Sequence, residues 1–300
     1  MLYGTFLKVK NEDEKIFLKM RKIIPFILLS LLFAACSLKK SDANQKTIYV
    51  TIAPLRSIVE QIVGDDYEVK VLVPKGASPE NFEPTAKQLM ELNRAEYIYS
   101  TGLINFERSL ISSVAKSERI VNLSSGIELM EGSCSHGHHH HKHGVDPHIW
   151  TSPKALKRVA RNICSSLAPD SVKYQTATHK LINELSKLDS LCSSKIDMCG
   201  VDAMMIYHPA FTYYARDYGI EQISIEHDGK EPSPRQLTKL VDRAKEHNIK
   251  TLLIQPQYSK DKLNALAEEC NAEIVEVDPL SEDIIAQIER VTTIICGGNE

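Results

Sequence analysis

From Thr47 onward two hydrophobic patterns alternate along the chain. Short runs rich in β-branched and aromatic residues read as strands over 47–52, 69–73, 97–99 and 120–123. Between them apolar residues recur at helical spacing: Leu55, Ile58, Val59, Ile62 and Val63 before Gly64, then the segments 84–95 and 104–116. The alternation restarts after residue 198, with strands over 202–207, 220–225, 251–255 and 273–277 and helices near 209–218, 234–247, 259–269 and 281–294. Strands that alternate with helices make parallel sheets covered by helices, and the restart predicts two such lobes. Between them Pro169-Asp170-Ser171 is a helix-start signal, and Leu181, Leu185, Leu188 and Cys192 form one apolar stripe running to about residue 197. A helix over 170–197 would be ~42 Å long at 1.5 Å per residue, enough for a strut. The predicted class is α/β, with two Rossmann-like lobes joined by a long linking helix.

The first residues follow a different pattern. After Met20, Arg21-Lys22 precedes an apolar run from Ile23 to Phe33, and Ala34-Ala35-Cys36 closes it. A basic start, a short apolar core and small residues describe a secretory signal peptide, and the run is shorter than the ~20 apolar residues of a membrane-spanning helix. The charges ahead of Met20 make that residue a candidate initiator. A cysteine after the small pair resembles a bacterial lipobox, which makes Cys36 the expected lipidated N-terminus. Loss of residues 1–35 leaves 30 Lys/Arg against 36 Asp/Glu. A mildly acidic exported chain is not expected to bind nucleic acid. The expected organisation is a signal peptide over 1–35, a lipid-anchored tether over 36–46 and lobes over 47–169 and 198–300 on either side of the helix 170–197. The product would be exported and held at a bacterial membrane, periplasmic or on the cell surface.

Chemistry concentrates in the loop 135–144, which carries His136, His138, His139, His140, His141 and His143 just before Asp146-Pro147-His148-Ile149-Trp150. Imidazole at that density attracts zinc and its first-row neighbours. The run is interrupted and lies in mid-chain, unlike a purification tag, and we read it as an auxiliary loop of weak metal sites. A tighter site is expected where strands end, since ligands of open parallel sheets bind beyond the carboxyl ends of strands. Glu80 follows the strand ending at Val73, His148 follows the fourth strand, His208 directly follows Met204-Met205-Ile206-Tyr207, and Asp278 directly follows Ile274-Val275-Glu276-Val277. Two imidazoles and two carboxylates, two residues from each lobe, would converge on one divalent ion. His227 is expected in the cleft wall, His179 and His247 on the surface, and Glu231-Pro232-Ser233-Pro234 at the cleft rim and the start of a helix.

These residues sit in segments that resemble the zinc/manganese solute-binding receptors of bacterial ATP-driven importers. The segments are Gly76-Ala77-Ser78-Pro79-Glu80-Asn81-Phe82-Glu83-Pro84, Asp146-Pro147-His148-Ile149-Trp150, His208-Pro209-Ala210-Phe211, Glu231-Pro232-Ser233-Pro234 and Gln255-Pro256-Gln257-Tyr258, spread in the family's order over the chain after the leader. The resemblance implies a monomeric receptor that captures a metal outside the cytoplasmic membrane and delivers it to an ABC permease. A histidine-rich loop goes with the family's zinc members, so zinc is the expected cargo. The family usually has histidine where Glu80 stands, and a carboxylate there also suits manganese or ferrous iron. Export allows disulfides, and the resemblance implies one between Cys270 and Cys296, with Cys192 and Cys199 the next candidates. No His-Glu-x-x-His helix, Gly-x-Ser-x-Gly elbow or phosphate-cradling glycine loop occurs in the sequence. A receptor is therefore expected ahead of a metallohydrolase or a metal-buffering adhesin.

Overall fold

The computed structural model describes residues 46–114, 117–131, 144–226 and 230–298. The expected signal peptide, Cys36, the histidines of the loop and His227 lie outside these residues. Among the described residues no helix is long and apolar enough to cross a membrane.

In the first lobe β1 (Lys46–Val50), β2 (Tyr67–Val71), β3 (Tyr97–Ser100) and β4 (Ile120–Asn122) form a sheet in the order β2-β1-β3-β4. In the second, β5 (Ala203–Ile206), β6 (Glu221–Ser224), β7 (Thr251–Ile254) and β8 (Glu273–Glu276) repeat that order as β6-β5-β7-β8. Every pairing is parallel; Ile48 lies opposite both Val69 and Tyr97, and Met205 opposite both Ile223 and Leu252. Each sheet therefore has a switch point, between β1 and β3 and between β5 and β7, where successive connections leave to opposite sides. A crevice opens there beyond the strand ends.

The first lobe's helices are α1 (Pro54–Val63), α2 (Ala86–Leu92), α3 (Asn105–Ser113) and α4 (Pro153–Ser166). In α1 Pro54 sets the first turn, Leu55, Ile58, Val59, Ile62 and Val63 are buried, and Gly64 closes the helix at φ 58°. The hydrophobic pattern of the chain does not predict α4. Ser152 caps it by accepting the Ala155 N–H, Pro153 starts it, and Ala155, Leu156, Val159, Ala160 and Ile163 face the core.

The linking helix is α5 (Val172–Cys199), and it ends where Gly200 takes the left-handed conformation and returns its N–H to Ile196. Tyr174, Thr178, Leu181, Leu185, Leu188, Cys192 and Ile196 are its buried stripe. That stripe packs on α1 and α4 of the first lobe and on α9 (Ile284–Ile295) of the second. The remaining second-lobe helices are α6 (Thr212–Tyr218), α7 (Pro234–Glu246) and α8 (Asn264–Cys270). One continuous apolar cluster runs from the first sheet through Trp150 to Phe211, Tyr213, Tyr214, Ile284 and Ile288, so both lobes share it. A second, smaller cluster fills the opposite face of the second sheet against α7 and α8.

The disulfide joins Cys199 to Cys296, which corrects the expected Cys270–Cys296 pair. Cys270 is a free thiol buried in the second cluster, whereas Cys296 packs against the shared one, so the second sheet lies between them. Cys199 ends α5 and Cys296 caps α9, with Cα atoms 5.6 Å apart, within bridging range. The bond joins residues 97 positions apart and closes a ring around the second lobe. Chain-entropy arguments give a loop of that size about 3–5 kcal/mol of stabilisation. Cys296→Ser should lower stability by that order in urea unfolding, and reductant should do the same to the native protein but not to the variant. Non-reducing peptide mapping should recover the 199–296 pair with Cys270 alkylated only after unfolding.

Candidate metal centre

Three of the four expected ligands converge. One donor atom each from Glu80, His148 and His208 lies within 4.8 Å of the other two. They stand on the wall of an open cleft of about 480 Å³ whose other lining residues include Ile104, Trp150, Gln257 and Tyr258.

Each side chain is brought there by local structure. Glu80 sits in a 3₁₀ turn, Pro79–Asn81, whose start is capped as the Ser78 hydroxyl accepts the Glu80 N–H at 3.4 Å. Phe82, two residues on, meets Phe106 edge-on at 5.1 Å. His148 precedes the 3₁₀ turn Ile149–Thr151, and Asp146 accepts its backbone N–H at 2.8 Å and faces its Nδ1 at 3.0 Å. His208 follows β5 at the second switch point. Gln255, just past β7, accepts the His208 N–H at 3.2 Å and donates to the His208 carbonyl at 2.6 Å. Glu226, just past β6, holds His208 Nδ1 at 2.5 Å.

The two imidazoles are thus oriented alike. A carboxylate takes the Nδ1–H of each, which leaves Nε2 as the nitrogen that faces the cleft. His208 Nε2 meets Glu80 Oε1 at 3.0 Å, an ion pair across the lobes. The rings of His148 and His208 lie 5.3 Å apart, Trp150 meets His148 at 5.1 Å and Tyr258 flanks His208 at 6.2 Å.

Electrostatics follow from this arrangement. Burial works against a charged His208, but its hydrogen bonds to Glu226 and Glu80 and their charges outweigh it and push the imidazole up to about 9. The hydrogen bond to His208 holds the Glu80 carboxyl below the usual range, against the effect of its burial. Burial raises the Asp146 carboxyl, yet the charge and hydrogen bonds of His148 leave it lowered on balance. Two imidazole nitrogens and a carboxylate oxygen form a borderline donor set suited to zinc, with room for a fourth donor.

Asp278 stands outside the cluster. Its Oδ1 accepts the Leu280 N–H at 2.9 Å, so the carboxylate caps the turn at Pro279 rather than reaching the two histidines. Burial pushes that carboxyl up. Of the other residues singled out, His179 is exposed, whereas His247 is half-buried and held by Asp202 at 3.0 Å. Ser233 and Pro234 start α7 through a capping box with Gln236.

Asp146, Glu226 and Gln255 have no role in the sequence pattern. The first carried a readable signal, a carboxylate two residues before a candidate ligand histidine. The other two sit at strand ends flanking β5, and only the strand order makes them neighbours of His208.

A profile of the ZnuA family, described as zinc-uptake complex component A, periplasmic, matches residues 48–289. The high-affinity zinc uptake system protein ZnuA of Bacillus subtilis is 31% identical over 266 residues, covering 81% of this chain and 82% of that protein. A crystal structure of ZnuA superposes with a TM-score of 0.76 at 30% identity, over 86% of this chain and 100% of that one. The manganese complex of FpvC from Pseudomonas aeruginosa shares the fold, with a TM-score of 0.69 at 21% identity over 84% of this chain and 99% of that one.

Proposed function

The chain belongs to the periplasmic zinc-uptake component A family, and from that premise we propose that it captures zinc between its lobes through His148, His208 and Glu80 and delivers it to an ABC permease. The observation that carries this reading is the convergence of three donor atoms from both lobes within 4.8 Å of one another. In this reading Asp278 is no direct ligand, and a water or a group of the cleft wall takes the fourth position. The protein binds and releases its cargo and turns nothing over. It is exported by the leader 1–35 and tethered as a monomer through lipid on Cys36 and the segment 36–46, with lobes 47–169 and 198–300 on the helix 170–197. His136, His138, His139, His140, His141 and His143 add weak sites that feed the tight one.

A titration tests the proposal. A protein lacking residues 136–143 should bind one zinc tightly and lose only weak sites; loss of the tight site on deletion would overturn it.

Manganese or ferrous iron is the second reading, and the carboxylate at Glu80 favours it, since oxygen donors suit harder ions. Competition between zinc and manganese for the loop-deleted protein decides between them. Glu80→His should raise the preference for zinc over manganese, and an unchanged ratio would count against Glu80 as a ligand.

A further inference from the structure

The switch point of the first sheet is not open, although the equivalent place in the second lobe presents His208. Thr51 directly follows β1 and Thr101 directly follows β3, and the carboxylate of Glu107 fills the space between them. Its Oε1 accepts from the Thr51 hydroxyl at 2.5 Å and the Thr101 N–H at 3.1 Å. Its Oε2 accepts from the Thr101 hydroxyl at 2.6 Å and from the N–H groups of Leu103 and Ile104 at 3.1 and 3.2 Å. The residue is 1% exposed and all five partners are neutral.

A carboxylate buried among neutral donors costs desolvation that five hydrogen bonds offset. Capping α3 does not account for it, because a Glu at the third helical position needs only the contact to Ile104. The other four contacts tie the helix to the ends of β1 and β3, and two routes lead from there to the metal centre. The Thr51 carbonyl accepts the Val73 N–H at 3.1 Å, which fixes the strand end that feeds the Glu80 loop. Phe106, next to Glu107, supports Phe82 at 5.1 Å, and Ile104 lies in the cleft wall beside Glu80.

We propose that Glu107 is the positioning residue that holds Glu80 at the metal site, acting through Thr51 and through the Phe106–Phe82 contact. It touches no ligand itself. The proposal rests on the reading of Glu80 as a ligand.

A double-mutant cycle in zinc affinity, measured against a competing chelator, tests it. Glu107→Gln keeps the shape but turns an amide group towards donors. It should weaken zinc about tenfold, as loss of an outer support does, and by less than about twofold in a Glu80→Ala background. A residue with a merely structural role would weaken binding by the same factor in both backgrounds, and that result overturns the proposal while leaving Glu80 a ligand. If Glu80→Ala alone leaves zinc affinity unchanged, the reading of Glu80 fails and this proposal with it. Should Glu107→Gln not fold, Thr51→Val and Phe106→Leu carry the same cycle with the same two outcomes.

Discussion

Alanine at either His148 or His208 should lower zinc affinity on the order of a thousandfold, about 4 kcal/mol at 1.4 kcal/mol per factor of ten. Each supplies one of three donors, and the remaining pair is an ordinary surface-like site. Zinc at ~100 times its dissociation constant adds ~2.7 kcal/mol to the stability of the wild type, and both variants should lose that increment. Their own stabilities should differ. His208→Ala strands Glu226, which is 8% exposed and whose Oε2 already lacks a partner among the described residues. Removing one partner of such a pair costs about 3–5 kcal/mol. In His148→Ala the Asp146 carboxylate still accepts the backbone N–H of residue 148 at 2.8 Å, so the loss should be smaller. Trp150, the single tryptophan of the chain, lies 5.1 Å from the His148 ring and reports binding by fluorescence. Wild-type zinc affinity in both variants, with the loop 136–143 removed, would refute the site.

The parts of this molecule legible in the sequence are those set by local pattern. Period-two and period-3.6 runs located both sheets and the long helix, and His148 and His208 stand in short local motifs, His208 just past β5 and His148 well beyond β4, at the start of the 3₁₀ turn Ile149–Thr151. The helix α4 escaped because Lys154, Lys157, Arg158 and Arg161 crowd its solvent face and its apolar stripe includes two alanines, Ala155 and Ala160. Asp278 shows the limit of the strand-end argument. Its place after β8 is right for a ligand, but its Oδ1 takes the Leu280 N–H and the carboxylate lies outside the group formed by Glu80, His148 and His208. The cysteines show another limit. Whether Cys270 can meet Cys296 depends on the face of the second sheet each occupies, and no spacing in the chain encodes that. Glu226 and Gln255 become readable only with strand order, because they reach His208 from the ends of different strands.

Zinc affinity should also fall steeply as pH is lowered from about 9, for a reason specific to His208. Its Nε2 meets Glu80 Oε1 at 3.0 Å and the imidazole is pushed up to about 9, so at pH 7 that nitrogen holds a proton. Zinc must displace that proton, so affinity should rise about tenfold per pH unit from 7 to about 9 and level off above. The apo protein should respond in the opposite sense. A folded-state value raised above the unfolded ~6.5 contributes stability that is fully present below pH ~6.5 and lost as pH rises through about 9. The zinc-induced gain in Tm should therefore widen as pH rises from 7 to about 9, the rise in affinity and the loss of stability without zinc being the same proton linkage. Calorimetry at pH 7 in buffers of different ionisation enthalpy should show about one proton released per zinc, since His208 lies about two units below its midpoint there. Glu226→Gln removes one of the two carboxylates that raise the imidazole, so it should move the break in the affinity profile downward. Zinc affinity that stays flat between pH 7 and 9 would show that His208 Nε2 is not the nitrogen the metal uses.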